Sequence, residues 1–255
     1  MRKEHYVADR LIRIRCGNTF KFEYSGAPNY HRPTKPIVFK EPQAANGNRV
    51  ASTKSPFSAR GRTVNHGDDR TMFFESNLER RTALIFQARS DVAEVRAQWP
   101  TVKWTAQDGS RHRHTFDFWI RRTDGVSMAV AVKPKKYVEK YGLLHMLARI
   151  HSQGAIAMFA DDVTVVTEDY ANQNSEANAK RILLSRRVRN DDEVELARHV
   201  IEQMDGPERF FELFRGATSE SARRIALWCL IDEGCLAASD PSERISDHTI
   251  MIRAK

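Results

Sequence analysis

Three residues in the middle of this 255-residue chain have the types and order to act together on a phosphodiester: Glu79, Asp117 and Lys133. Metal-dependent cleavage of such a bond needs carboxylates converging on a divalent cation, together with a lysine near the attacking water or the scissile phosphate. The cation acts as a Lewis acid and lowers the pKa of its bound water. Asp117 lies between Phe116 and Phe118, and a carboxylate in such a strand costs free energy to bury unless a ligand or a hydrogen-bond network holds it. Its alternative reading is a partly exposed residue on the strand's polar face. Glu79 also has two readings, because Ser76-Asn77-Leu78-Glu79 has the S-x-x-E form of a helix-starting capping box. Lys133 is either part of the site or one more surface lysine at a strand end. His112, His114, His145 and His151 match no familiar zinc spacing, and His112-Arg113-His114 reads as an exposed strand. Trp99, Trp104, Trp119 and Trp228 read as core residues rather than a base-stacking platform.

The elements that would position these residues follow from periodicity. The capping box opens a helix over about 76–89, with Leu78, Leu84, Ile85 and Ala88 as its apolar stripe. Residues 95–99 and 102–105 alternate as short strands around Pro100, and residues 114–120 read as one aromatic strand. The turn Thr123-Asp124-Gly125 joins this strand to a near-continuous apolar run, residues 126–133, which reads as a strand buried on both faces. Tyr141, Leu144, Leu147 and Ala148 place a helix over 137–151, and residues 163–167 supply one more strand. The order helix, antiparallel strands, helix, strand predicts a mixed α/β domain over 71–170.

A linker is expected over 171–190. Beyond it, Asp191-Asp192-Glu193 starts a helix with Val194, Ala197, Ile201 and Met204 on one face. Helices over 207–215 and 219–233, joined by Gly216-Ala217-Thr218, have the form of a helix-turn-helix. A terminal hairpin completes a small, mainly helical, winged-helix-like domain over 191–255. Arg223 and Arg224 fall early in its second helix, where base or phosphate contacts are made. The acidic neighbours Asp232 and Glu233 leave protein contacts as the other use of this domain.

Residues 1–70 hold 14 Lys/Arg against 6 Asp/Glu, and the rest of the chain holds 27 of each, so the net charge of +8 is confined to that segment. It also carries five of the nine prolines and reads as an extended basic arm, suited to a polyanion or serving as a solubilising tail. No apolar run approaches the roughly 18 to 20 residues of a membrane-spanning helix. The first ten residues lack the apolar core of a signal peptide, so a cytoplasmic location is expected. Three cysteines, an odd number without paired spacing, argue against a disulfide scaffold and a zinc finger.

Five motifs in order carry a family resemblance: Glu75-Ser76-Asn77-Leu78-Glu79-Arg80, Val95 to Gln98 with Pro100, Phe116-Asp117-Phe118, Val130-Ala131-Val132-Lys133-Pro134, and Val165-Val166-Thr167-Glu168. Over about residues 70–170 the chain resembles the nuclease domain of TnsA, the endonuclease subunit of heteromeric transposases. The resemblance implies the restriction-endonuclease-like PD-(D/E)xK fold, a mixed sheet flanked by helices, followed by a winged-helix module. It implies Mg2+, duplex DNA and a transposase or recombination partner subunit. Glu79 then corresponds to the helix-borne acid, Asp117 to the strand-borne metal ligand and Lys133 to the catalytic lysine. The carbonyl of Val132 is implied as a further metal ligand. Lys135 and Lys136 add positive charge that favours phosphate. One position departs: an acid or Gln is expected two residues before the lysine, and this chain has Ala131. Glu139 is then a candidate for a migrated acid. The alternative to an endonuclease is a nuclease-derived protein that has lost cleavage and keeps a DNA-binding or regulatory role.

Overall fold

The computed structural model describes residues 40–49 and 59–254. Strands β1 (Gly61–Val64) and β2 (Thr71–Phe74) pair antiparallel and lead into helix α1 (Asn77–Ala88), which Ser76 caps by accepting the Glu79 N–H. Strand β3 (Val92–Ala97), the hairpin β4 (Thr101–Thr105) and β5 (Arg111–Thr115), β6 (Phe118–Arg122) and β7 (Ser127–Val132) follow. Next come helices α2 (Lys135–Lys140) and α3 (Leu143–Ser152), strand β8 (Asp162–Val166) and helix α4 (Gln173–Arg187). The C-terminal part comprises α5 (Asp191–Glu202), β9 (Glu208–Arg209), a 3-10 turn (Phe210–Phe214), α6 (Glu220–Asp232), β10 (Leu236–Ala238) and β11 (Ile250–Arg253).

The apolar run before Lys133 is an interior strand. Strand β7 pairs antiparallel with β6 and parallel with β8, in the sheet order β3-β6-β7-β8. Its alternate residues enter two cores, as a strand covered on both faces requires. Val130 and Val132 pack in the core that holds Ile85 and Phe86 of α1 and Leu183 of α4. Ala129 and Ala131 pack in the core that holds Val138 of α2 with Leu143, Leu147 and Ile150 of α3. The result is a three-layer α/β unit. A third core joins α5 and α6 to β10 and β11, with the small sheet ordered β10-β11-β9.

Several expected elements differ. The aromatic strand splits at Phe116 and Asp117 into β5 and β6. The helix over 137–151 breaks at Gly142, whose φ of 58° lies in the left-handed region. Residues 207–215 form a two-residue strand and a 3-10 turn, because Phe210 and Leu213, three apart, are the positions that enter the core. Residues 171–190 are not a loose linker. Helix α4 occupies most of them, and Arg186 on it donates to the carbonyls of Gln87 and Ala88 at the end of α1 while pairing with Asp232 of α6. Those carbonyls are among the last of α1 and have no partner within that helix.

The expected arm is also partly folded. Gln43 bridges to Arg70, and Asn48 N–H donates to the Gln98 carbonyl at 2.9 Å. Gly47 lies so close to β3 that a Cβ there would meet the Ala97 carbonyl oxygen at 2.5 Å. The rest of that arm, residues 1–39 and 50–58, lies outside the described residues. Among the described residues, no helix is long and apolar enough to cross a membrane.

Candidate functional site

The break between β5 and β6 positions the central acid. Phe116 N–H donates to the Pro100 carbonyl at 3.0 Å, and Gln98 N–H donates to the Asp117 carbonyl at 2.8 Å. Phe116 and Phe118 are two apart, so an unbroken strand would turn them to one face. Instead, Phe116 lies in the core with Trp119, and Phe118 in the core with Phe86. The break leaves the Asp117 side chain against the end of β7, where Oδ2 accepts the Val132 N–H at 2.7 Å. Burial raises the Asp117 carboxyl above its ordinary value, opposed by the Val132 amide and the Lys133 charge.

Glu79 holds its cap and faces this acid at the same time. It is buried, its Oε2 accepts the Glu75 N–H at 2.8 Å, and its Oε1 accepts from the Ser76 hydroxyl at 3.0 Å. Burial, then the negative charge of Asp117, push its carboxyl up to about 7, against the pull of these two hydrogen bonds. Lys133 is exposed at the end of β7, where its N–H donates to the Val166 carbonyl. Its charge acts on both Asp117 and His114. Asp117 is therefore the link: its charge acts on Glu79 of α1, and the Lys133 charge acts on it from the end of β7.

Two further residues belong to this neighbourhood. His114 Nε2 is buried with no hydrogen-bond partner among the described residues, and its ring meets Phe116 edge-on at 4.7 Å. Burial and the Lys133 charge push it down to about 4, so the imidazole is neutral at pH 7. Reading residues 112–114 as an exposed strand hid it, although His112 does lie outside, stacked on Trp104. Arg49 pairs with Glu75 at 2.5 Å, and its charge also reaches Asp117. A single arginine in a basic, proline-rich segment gives no signal of that position.

The other expected site residues fall elsewhere or take different roles. Ala131 is 1% exposed and belongs to the core beneath α2 and α3. Val132 meets Asp117 through its amide. Glu139 is exposed on α2, and its charge acts on Lys135. Lys135 pairs with Asp169 at 2.8 Å, and Lys136 lies over the Tyr137 ring. Arg223, expected to make base or phosphate contacts, requires a correction: it is 2% exposed and bonded to Glu193 and to the carbonyls of Leu213 and Arg215, so its guanidinium is engaged inside the fold. Arg224 is half-buried, paired with Asp247 and set over Phe214. Among the described residues, no three His, Cys, Asp or Glu side chains converge into a metal cage.

No protein-family model matches this chain, and no curated protein matches it.

Proposed function

We propose that this chain is a DNA-binding protein of TnsA-like type, with metal-dependent strand cleavage at Glu79, Asp117 and Lys133 in a recombination complex with a partner subunit. The observation that carries this reading is the chain of charge effects through Asp117 at the β5–β6 break: its charge acts on Glu79 of α1, and the charge of Lys133 at the end of β7 acts on it. The order of elements supports it: a helix, antiparallel strands, two helices and a parallel strand, as in a restriction-endonuclease-like core. The C-terminal order of helix, short strand, 3-10 turn, helix and two strands supports a winged-helix-like module.

The donor set fits Mg2+. This cation is bound through one or two carboxylates while keeping several waters, and Asp117 and Glu79 are two carboxylates whose burial disfavours their charged forms until a cation compensates. A bound Mg2+ would supply Lewis acidity and an acidified water. Asp117 and Glu79 would hold it, and the Lys133 ammonium would stabilise charge developing on the phosphate.

The burial of Ala131 favours a second reading, a cleavage-deficient protein that keeps DNA association, because the position that supplies an acid in the family belongs in this chain to the core. Supercoiled-plasmid relaxation with Mg2+ or Mn2+ separates the two. Nicking that Asp117→Ala and Lys133→Ala abolish is the expected result of the first reading, and DNA binding without nicking is that of the second. Nicking that survives both substitutions would overturn the site.

A further inference from the structure

We propose that the cleft between α1, α4 and the loop before β11 binds the phosphodiester backbone of a nucleic-acid strand. This inference deepens the DNA-binding reading and rests on it. The cleft measures about 460 Å3, and its walls carry Arg81, Lys180, Arg181 and Arg244 against a single carboxylate, Glu176. That carboxylate is already committed: it pairs with Arg80 at 2.7 Å, Arg81 at 3.1 Å and Lys180 at 2.6 Å. Arg244 makes no ion pair or hydrogen bond with any described residue. Arg181 donates to the Ile245 carbonyl and lies over Trp228, so it is held in place without being neutralised. Burial and the neighbouring Arg244 and Arg224 hold its guanidinium below its ordinary value. Several cations thus crowd one concave surface whose only acid among the described residues is saturated, and an anion from outside would relieve their repulsion.

The shape favours a strand over a lone phosphate. Lys180, Leu184 and Arg187 are spaced i, i+4 and i+7, so they share one face of α4. All three are exposed, and a second depression lined by Leu84, Lys180, Leu184, Arg187 and His66 continues along that face. From Lys180 to Arg187 the helix rises about 10 Å, roughly three nucleotide steps at 3.4 Å each. Leu184 offers apolar surface between the cations. Arg81 follows Glu79 by two residues on α1, so the cleft and the candidate acid lie on different faces of the same helix turn.

The test is fluorescence anisotropy of the full chain with a 20-base-pair duplex, titrated with salt. The variants are Lys180→Ala/Arg244→Ala and, as a control for net charge, Lys103→Ala/Arg113→Ala on the β4–β5 hairpin. Each neutralised phosphate contributes about 0.9 to the slope of log K against log salt. The cleft variant should therefore lose about 2 from the slope while the control loses none, and the charge-preserving Lys180→Arg/Arg244→Lys should keep the native slope. Equal slopes for cleft variant and control would overturn the cleft and leave DNA binding standing. Absence of duplex binding by the native chain would overturn both. Binding of polyglutamate as tight as that of duplex, and equally sensitive to the cleft substitutions, would assign the cleft to an acidic protein and overturn the proposal.

Discussion

The Asp117 carboxylate accepts the Val132 amide at 2.7 Å, which ties the break between two strands to the end of a third, one residue before Lys133. That bond holds the candidate acid and the candidate lysine in register through backbone rather than through each other. Asp117→Ala leaves a strand-end N–H without its acceptor and should cost about 1 to 3 kcal/mol in denaturant unfolding. Asp117→Asn keeps an acceptor and should cost less. Asp117→Asn also removes the charge that raises Glu79, so the Glu79 carboxyl, followed by carbon NMR, should titrate lower than in the native chain. An unchanged Glu79 titration would show that the two acids do not interact.

Stability should depend on pH through two groups acting in opposite directions. Glu79 rises from 4.5 to about 7 on folding, so the folded chain holds its proton more tightly. Its contribution is fully present below pH 4.5 and is lost as pH rises through 7, a change of about 3 kcal/mol. His114 falls from 6.5 to about 4, so its contribution is present above pH 6.5 and is lost as pH falls through 4. The two windows overlap and their slopes oppose, so in thermal unfolding from pH 4 to 8 each substitution should unmask the other group. Stability should rise with pH more steeply in Glu79→Gln than in the native chain, and fall with pH in His114→Gln. If neither substitution changes the slope of stability against pH between about 4 and 7, these burial effects are absent.

Ala131→Glu should destabilise the protein rather than complete a metal site. The new carboxyl would enter a core lined by Phe116, Val138 and Leu147, combining overpacking with an unpaired polar group, and should cost at least about 2 kcal/mol. A variant as stable as the native chain that nicks plasmid in an Asp117-dependent way would show that position 131 opens onto the site.

Local chemistry was legible where a single side chain decides the backbone. Ser76 and Glu79 mark the start of α1, Thr123-Asp124-Gly125 marks the β6–β7 turn, and the apolar run to Val132 marks an interior strand. Features set by tertiary packing were not legible. The stripe Tyr141, Leu144, Leu147 and Ala148 suggested one continuous helix, yet Tyr141 is 68% and Leu144 59% exposed, and the buried set is Leu143, Leu147 and Ile150, starting after the Gly142 break. The aromatic run 114–120 conceals its break because Phe116 and Phe118 suit either core. Arg223 looked like a surface cation because its partner Glu193, thirty residues earlier, is visible only once α5 and α6 pack together. The order of Glu79, Asp117 and Lys133 was readable, but the engagement of Arg49 and His114 depends on contacts across the fold.

Mn2+ soaked into crystals of the full chain and located by its anomalous scattering addresses the site most directly. The expected result is one ordered ion with Asp117 as a ligand, lost in crystals of Asp117→Asn while the fold is retained. An ordered Asp117 with no ion beside it at saturating Mn2+, or an ion that persists unchanged in Asp117→Asn, would contradict a metal-dependent site at these residues.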